Sequence, residues 1–203
     1  MVVRDLRPRE GDEDERLILT AAHVVGDASA GATMAYVEPC SVPSVEAAHL
    51  CGELRRRVPL TNLSHIAVDA AVIKPHPGLE IDPAINGIVP RGTRDLLLET
   101  DSVEVDVMKC GANTGLTRGR LLPANVDHYM TDVDARYTCG WWAVGDDGGF
   151  GAEGDSGSVV LDERHMVVGM LVGLRLGGPQ AGAGFVHGIR QILTALDIDI
   201  PSP

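Results

Sequence analysis

The chain has 203 residues, 44% of them hydrophobic and 3% aromatic, with 24 glycines. That is enough for one large domain or a tightly joined pair of half-domains around a real core, and it excludes a disordered polymer. Seventeen basic residues against 29 acidic ones leave a net charge of −12, a field that repels phosphate backbones and excludes nucleic acid as the main partner.

No run reaches the roughly 18 apolar residues that span a bilayer, so no membrane partner is expected. The opening MVVRDLRPRE lacks the apolar centre of a signal peptide, and a cytoplasmic location is the expectation. Cys40, Cys51, Cys110 and Cys139 form no CxxC pair and no histidine cluster accompanies them. Free thiols are expected rather than a disulfide framework or a metal site, with Cys40 and Cys51 the pair to test for oxidation.

In chain order, short β-branched or apolar runs alternate with turn residues, and long helical periodicity is nearly absent. Strands are predicted at 1–3, 16–20, 33–38, 52–60, 65–73, 103–111, 116–125, 141–145, 156–162, 166–174 and 182–189, the pattern of an all-β sandwich or barrel. One helical turn is predicted at Ala21–Val25. A C-terminal helix is predicted at Gly188–Leu196, where Ile189, Ile192, Leu193 and Leu196 share one face. Residues 9–16 read as a charged hairpin tip and 74–102, punctuated by prolines, as a connection between halves. The boundary divides the chain into 1–90 and 91–203. Trp141 and Trp142 read as alternating strand positions, and Arg55, Arg56 and Arg57 as a solvated strand face.

Three strings carry candidate chemistry. Leu19-Thr20-Ala21-Ala22-His23 sets a histidine after an apolar strand and a turn of small residues. Imidazole can take a proton from a nucleophile and return it to a leaving group. Alone, His23 reads more readily as a buried structural histidine. His65-Ile66-Ala67-Val68-Asp69-Ala70-Ala71 places one acid in an apolar run, where it must be hydrogen-bonded. Orienting an imidazole is one way; capping a turn is another. Gly154-Asp155-Ser156-Gly157-Ser158 puts a serine among glycines that let backbone N–H groups converge on a developing oxyanion. By itself it is also a glycine-rich turn.

Together, His23, Asp69 and Ser156 follow the chain order of the chymotrypsin-type triad. TAAH, the aspartate of VDAA and GDSG resemble the trypsin-like serine peptidase superfamily. Lys109-Cys110-Gly111-Ala112-Asn113-Thr114-Gly115-Leu116-Thr117-Arg118-Gly119 is similar to the K-x-G-x-T-T-G-x-T-x-G stretch of its mainly bacterial, intracellular-type group, which also carries VDAA. Asn113 stands where threonine is common there. The stretch reads as glycine turns without chemistry.

The resemblance covers nearly the whole chain. It implies two six-stranded-type antiparallel β-barrels with a short C-terminal helix, and a serine endopeptidase acting on protein or peptide through an acyl-enzyme. Ser156 would attack, with His23 as base then acid and Asp69 as its orienter. The N–H groups of Gly154 and Ser156 would form the oxyanion hole, and no cofactor or metal is implied. Phe150 would floor the specificity pocket, with Val172, Gly173, Leu174 and Gly184 as walls. No IVGG-like segment is present to supply a partner for Asp155, which must find another or simply brace the turn. A protease fold kept as an interaction scaffold is the alternative, and an esterase a third. The oligomeric state stays open.

Overall fold

The structure is a computed structural model that describes residues 1–7, 15–37, 48–60, 68–96, 104–122, 126–130 and 135–201. Strands β1 (Val2–Asp5), β2 (Arg16–Thr20), β3 (Thr33–Val37), β4 (Ala48–Arg57) and β5 (Ala71–Pro75) come first, with the single turn α1 (Ala22–Val25) after β2. Then follow β6 (Val105–Gly111), β7 (Gly115–Leu121), β8 (Val126–Met130), β9 (Ala135–Gly145), β10 (Val159–Asp162), β11 (Val167–Leu174) and β12 (Gly184–Gly188). Helix α2 (Ile189–Leu196) and the two-residue β13 (Ile198–Asp199) complete the order.

The protein is mostly β, as expected, and its two sheets are antiparallel. In the second, β12-β11-β10-β6-β7-β9 closes on itself because β9 also pairs with β12, with β8 appended to β9. Closure removes the exposed edges that an open sheet would carry. The first sheet runs β13-β1-β2-β5-β4-β3. Its outer strand comes from the end of the chain: Arg4 pairs with Asp199 and Asp5 with Ile198.

Period-two patterning explains the strands. In β6, Val105, Val107, Lys109 and Gly111 point inward and Asp106 outward, which places a lysine in a row of core positions. Trp141 lies inside the barrel, while Trp142 stacks edge-on against Phe185, 5.2 Å between ring centres. At Gly119 a side chain is impossible, since a Cβ would lie 2.1 Å from the Val144 carbonyl oxygen.

One core cluster fills the closed barrel, including Val107, Leu121, Phe150, Val160 and Leu171. A larger one joins both sheets and takes in Leu17, Leu19, Val72, Tyr137, Val159, Met170, Phe185 and three α2 side chains. The amphipathic reading of α2 holds: Ile189, Ile192 and Leu196 are buried and Leu193 packs against the same cluster.

The arginine run is not a solvated face. Arg56 forks onto Asp5, with Nη1 to Oδ2 at 3.0 Å and Nη2 to Oδ1 at 2.6 Å, and also donates to the Leu196 carbonyl. Arg55 lies beside Asp5 and Glu15, and Arg57 donates to the Ala28 carbonyl. The register shift between Leu54 and Arg56 breaks the alternation that would have turned these side chains outward. The expected hairpin tip lies mostly outside the described residues, as does His65.

Candidate active site

His23 sits on α1, held at the edge of the first sheet by β2. Alanines precede it for a spatial reason: Ala21 and Ala22 are fully enclosed, and the serine-bearing turn packs directly against them. A Cβ on Gly157 would meet Thr20 Oγ1 at 2.7 Å and the Ala21 nitrogen at 3.2 Å, and Gly157 has φ +91°. Only glycine fits both demands. This approach brings Gly157, ahead of β10, against Thr20 and Ala21 at the end of β2.

Asp69, just before β5, is completely buried. Its Oδ2 lies 2.6 Å from His23 Nδ1, and its Oδ1 accepts the His23 backbone N–H at 3.0 Å. The Tyr137 hydroxyl donates to Oδ2 as well. Behind them, the Asp69 N–H donates to His187 Nδ1 at 3.1 Å. Burial alone would raise the Asp69 carboxyl, but the His23 hydrogen bond and charge and the Tyr137 hydroxyl outweigh it and hold it below its ordinary value. Burial pushes His187 down from 6.5 to about 4 despite the attraction of Asp69, so it is neutral at pH 7. Because its Nδ1 accepts, its proton is on Nε2, which is buried without a hydrogen-bond partner among the described residues. Burial, then the adjacent Asp69 charge, drives the Tyr137 phenol far upward, so it stays a donor.

Asp155 has found its partner in the stretch read as turns without chemistry. The Lys109 ammonium reaches Asp155 Oδ2 at 2.9 Å, with both side chains fully enclosed. The Thr114 hydroxyl donates to the same oxygen at 2.7 Å, as does the Ala152 N–H at 3.0 Å; Asn113 and Thr114 N–H groups donate to Oδ1. Burial would raise the carboxyl, but Thr114, Lys109 and the backbone donors bring it from 3.8 down to about 2. The turn before Ser156 is thereby anchored to β6. An inward-pointing lysine was the signal, since a buried ammonium requires a counter-charge.

The N–H groups of Asp155, Gly157 and Ser158 are engaged by carbonyls of Ala152, Leu171 and Asp155. Those of Gly154 and Ser156 make no backbone hydrogen bond among the described residues. Ser156 is half-buried and lines a cleft of about 210 Å³ with Thr20, Ala112, Gly154 and Gly157. Among the described residues no hydrogen bond joins its hydroxyl to the His23 ring, a contact that is often long before substrate arrives.

The expected pocket residues lie deeper. Phe150, Val172 and Gly184 are buried, and Gly173 is buried beside them. Leu171 occupies the space between Gly184 and Gly151, and Leu174 lies over Gly151: a Cβ there would meet Leu171 Cδ2 at 2.9 Å and Leu174 Cδ2 at 3.1 Å. Cys51 and Cys110 are free thiols; Cys40 falls outside the described residues. Among those residues no three His, Cys, Asp or Glu side chains converge as metal ligands, and no helix is long and apolar enough to cross a membrane.

The paired sheets, with one closed barrel and a short C-terminal helix, define the fold of the chymotrypsin-like serine proteases. Among solved structures, Thermobifida fusca protease A matches over 100% of this chain and 89% of its own, with 17% identity and a TM-score of 0.66. Nocardiopsis protease matches over 99% and 90%, with 14% identity and a TM-score of 0.64. Cellulomonas bogoriensis chymotrypsin matches over 91% and 85%, with 16% identity and a TM-score of 0.61. No protein-family model matches the chain, and no curated protein sequence does.

Proposed function

We propose that the protein is a serine endopeptidase of the trypsin-like class whose triad is His23, Asp69 and Ser156. One observation carries this reading above all: a buried aspartate bonded to both the ring and the backbone of a partly exposed histidine. A scaffold has no chemical need for that arrangement. The motifs VDAA and K-C-G-A-N-T-G-L-T-R-G support placing it in the mainly bacterial, intracellular-type group. The active cleft would then run between halves 1–90 and 91–203.

His23 Nδ1–H donates to Asp69, which leaves Nε2 as the acceptor. As Ser156 Oγ attacks the scissile carbonyl, its proton passes to Nε2 and the carbonyl oxygen becomes an oxyanion. The otherwise unengaged N–H groups of Gly154 and Ser156 receive that charge. The C–N bond breaks as the imidazolium returns the proton to the leaving amine. Water, deprotonated by the same ring, then releases the acyl group. Asp69 remains a carboxylate throughout, stabilising the imidazolium.

A fluorophosphonate probe tests the reading. Wild-type protein should acquire one label at Ser156, and Ser156→Ala none. A folded wild-type protein that stays unlabelled would sink the peptidase and favour the scaffold.

A further inference from the structure

Asp69 is held by more than the two members of a triad. Its Oδ2 accepts from two donors at once: the His23 ring and the Tyr137 hydroxyl. Tyr137 belongs to β9, in the other sheet, and is fully buried. Its ring is fixed by Phe185, 6.1 Å away between centres, and by His187, which meets it edge-on at 5.0 Å. His187 in turn accepts the Asp69 N–H. Among the described residues, the Tyr137 phenol is the side-chain donor that the second sheet offers to the Asp69 carboxylate.

We infer that Tyr137 is a positioning residue for the proposed catalysis: its hydroxyl fixes the Asp69 carboxylate in the plane of the His23 ring and tempers how tightly that carboxylate holds the imidazolium. The inference rests on the peptidase reading for its kinetic part, but its geometry does not depend on Ser156. The titratable groups facing Asp69 among the described residues are His23 from α1, Tyr137 from β9 and His187 from β12. With the phenol removed, Oδ2 keeps a single donor. A carboxylate with less hydrogen bonding is a stronger base and grips the imidazolium harder. It is also freer to rotate away from the productive geometry.

Tyr137→Phe keeps the ring and its packing and deletes only the hydroxyl. On a peptide substrate kcat should fall about tenfold, as expected for loss of one hydrogen bond to a charged group, with KM changed less than about twofold. The acid limb of the kcat/KM profile should move up by roughly half a pH unit. The low-field proton resonance of His23 Nδ1–H should move further downfield, a readout that requires no turnover. Placing 3-fluorotyrosine at 137, a stronger donor in the same volume, should shift limb and resonance the opposite way, and it serves if the phenylalanine variant does not fold. Variants with a changed melting temperature but unchanged profile and resonance would make Tyr137 simple packing and overturn the inference. A wild-type protein that neither labels nor hydrolyses would instead defeat the peptidase reading, while the resonance still decides the role of Tyr137.

Discussion

His23, Asp69 and Ser156 stand out in the sequence because a triad of the proposed kind restricts its members to few residue types in recognisable surroundings. Their supports could not be read so directly. Tyr137 and His187 lie 68 and 118 residues beyond Asp69, and no local pattern links strands that meet only across two sheets. His187 left a faint signal, a histidine in a wholly buried five-residue strand. Its burial has a consequence for stability. In the unfolded chain His187 takes up a proton near its ordinary 6.5, whereas in the folded protein it resists until about 4. The unfolded state therefore binds the extra proton across that window. The contribution is fully present above pH 6.5 and is lost as pH falls towards 4, by roughly 3 kcal/mol in all. His187→Gln, which keeps an acceptor for the Asp69 N–H, should flatten this loss. Urea unfolding at pH 7 and pH 5 checks it: equal losses for wild type and variant would show that His187 does not titrate between the states.

Among elements, alternation found most strands, and misses followed where it is weak. β8 sets Asp127 and His128 side by side, which breaks the alternation, and the two residues of β13 are too few to show any period. The segment 141–145 was found, but its strand extends back to Ala135, where Ala135, Tyr137 and Cys139 alternate with Arg136, Thr138 and Gly140 and carry the period only on weakly hydrophobic side chains. β11 bears most on the proposed selectivity. Its last residue, Leu174, lies over Gly151 together with Leu171, so the space that the resemblance assigns to the specificity pocket already holds two isobutyl groups. Peptides with Ala, Ser or Gly before the scissile bond should therefore be cleaved best, Leu and Phe less well. Arg and Lys should be cleaved worst, since the carboxylate beside that space, Asp155, is already paired with Lys109 and an unpaired buried charge is costly. Leu174→Gly should raise kcat/KM for Phe at that position by about tenfold or more, as a pocket opens for roughly one buried side chain. A library in which the wild type prefers Arg, or in which Leu174→Gly changes nothing, would refute this account.

At the scale of the whole molecule, the two sheets are joined by the shared apolar core, and a polar clasp ties the first sheet to the end of α2. Arg56 from β4 grips Asp5 of β1 and the final carbonyl of α2, with the Asp5 side chain fully buried. Burial would raise the Asp5 carboxyl, but Arg56 and the Arg7 N–H hold it below its ordinary value. Arg56→Met leaves that buried carboxylate with only Arg55 and the Arg7 N–H and should cost about 3–5 kcal/mol, lowering the melting temperature by about 10 °C for a chain of this size. Arg56→Lys should recover little, since one ammonium cannot reproduce the fork. Scanning calorimetry reads both, and an unshifted melting curve for Arg56→Met would show the clasp to be dispensable. The pairing of β1 with β13 has a further consequence for how the chain is made. Synthesis is vectorial, yet the first sheet receives its outer strand only after Ile198 and Asp199 have left the ribosome. Until then the nascent β1 carries an open row of backbone donors and acceptors, the kind of edge that recruits neighbouring chains. The half synthesised first is thus finished last, and its edge stays open to aggregation while every residue from β2 to α2 is being made.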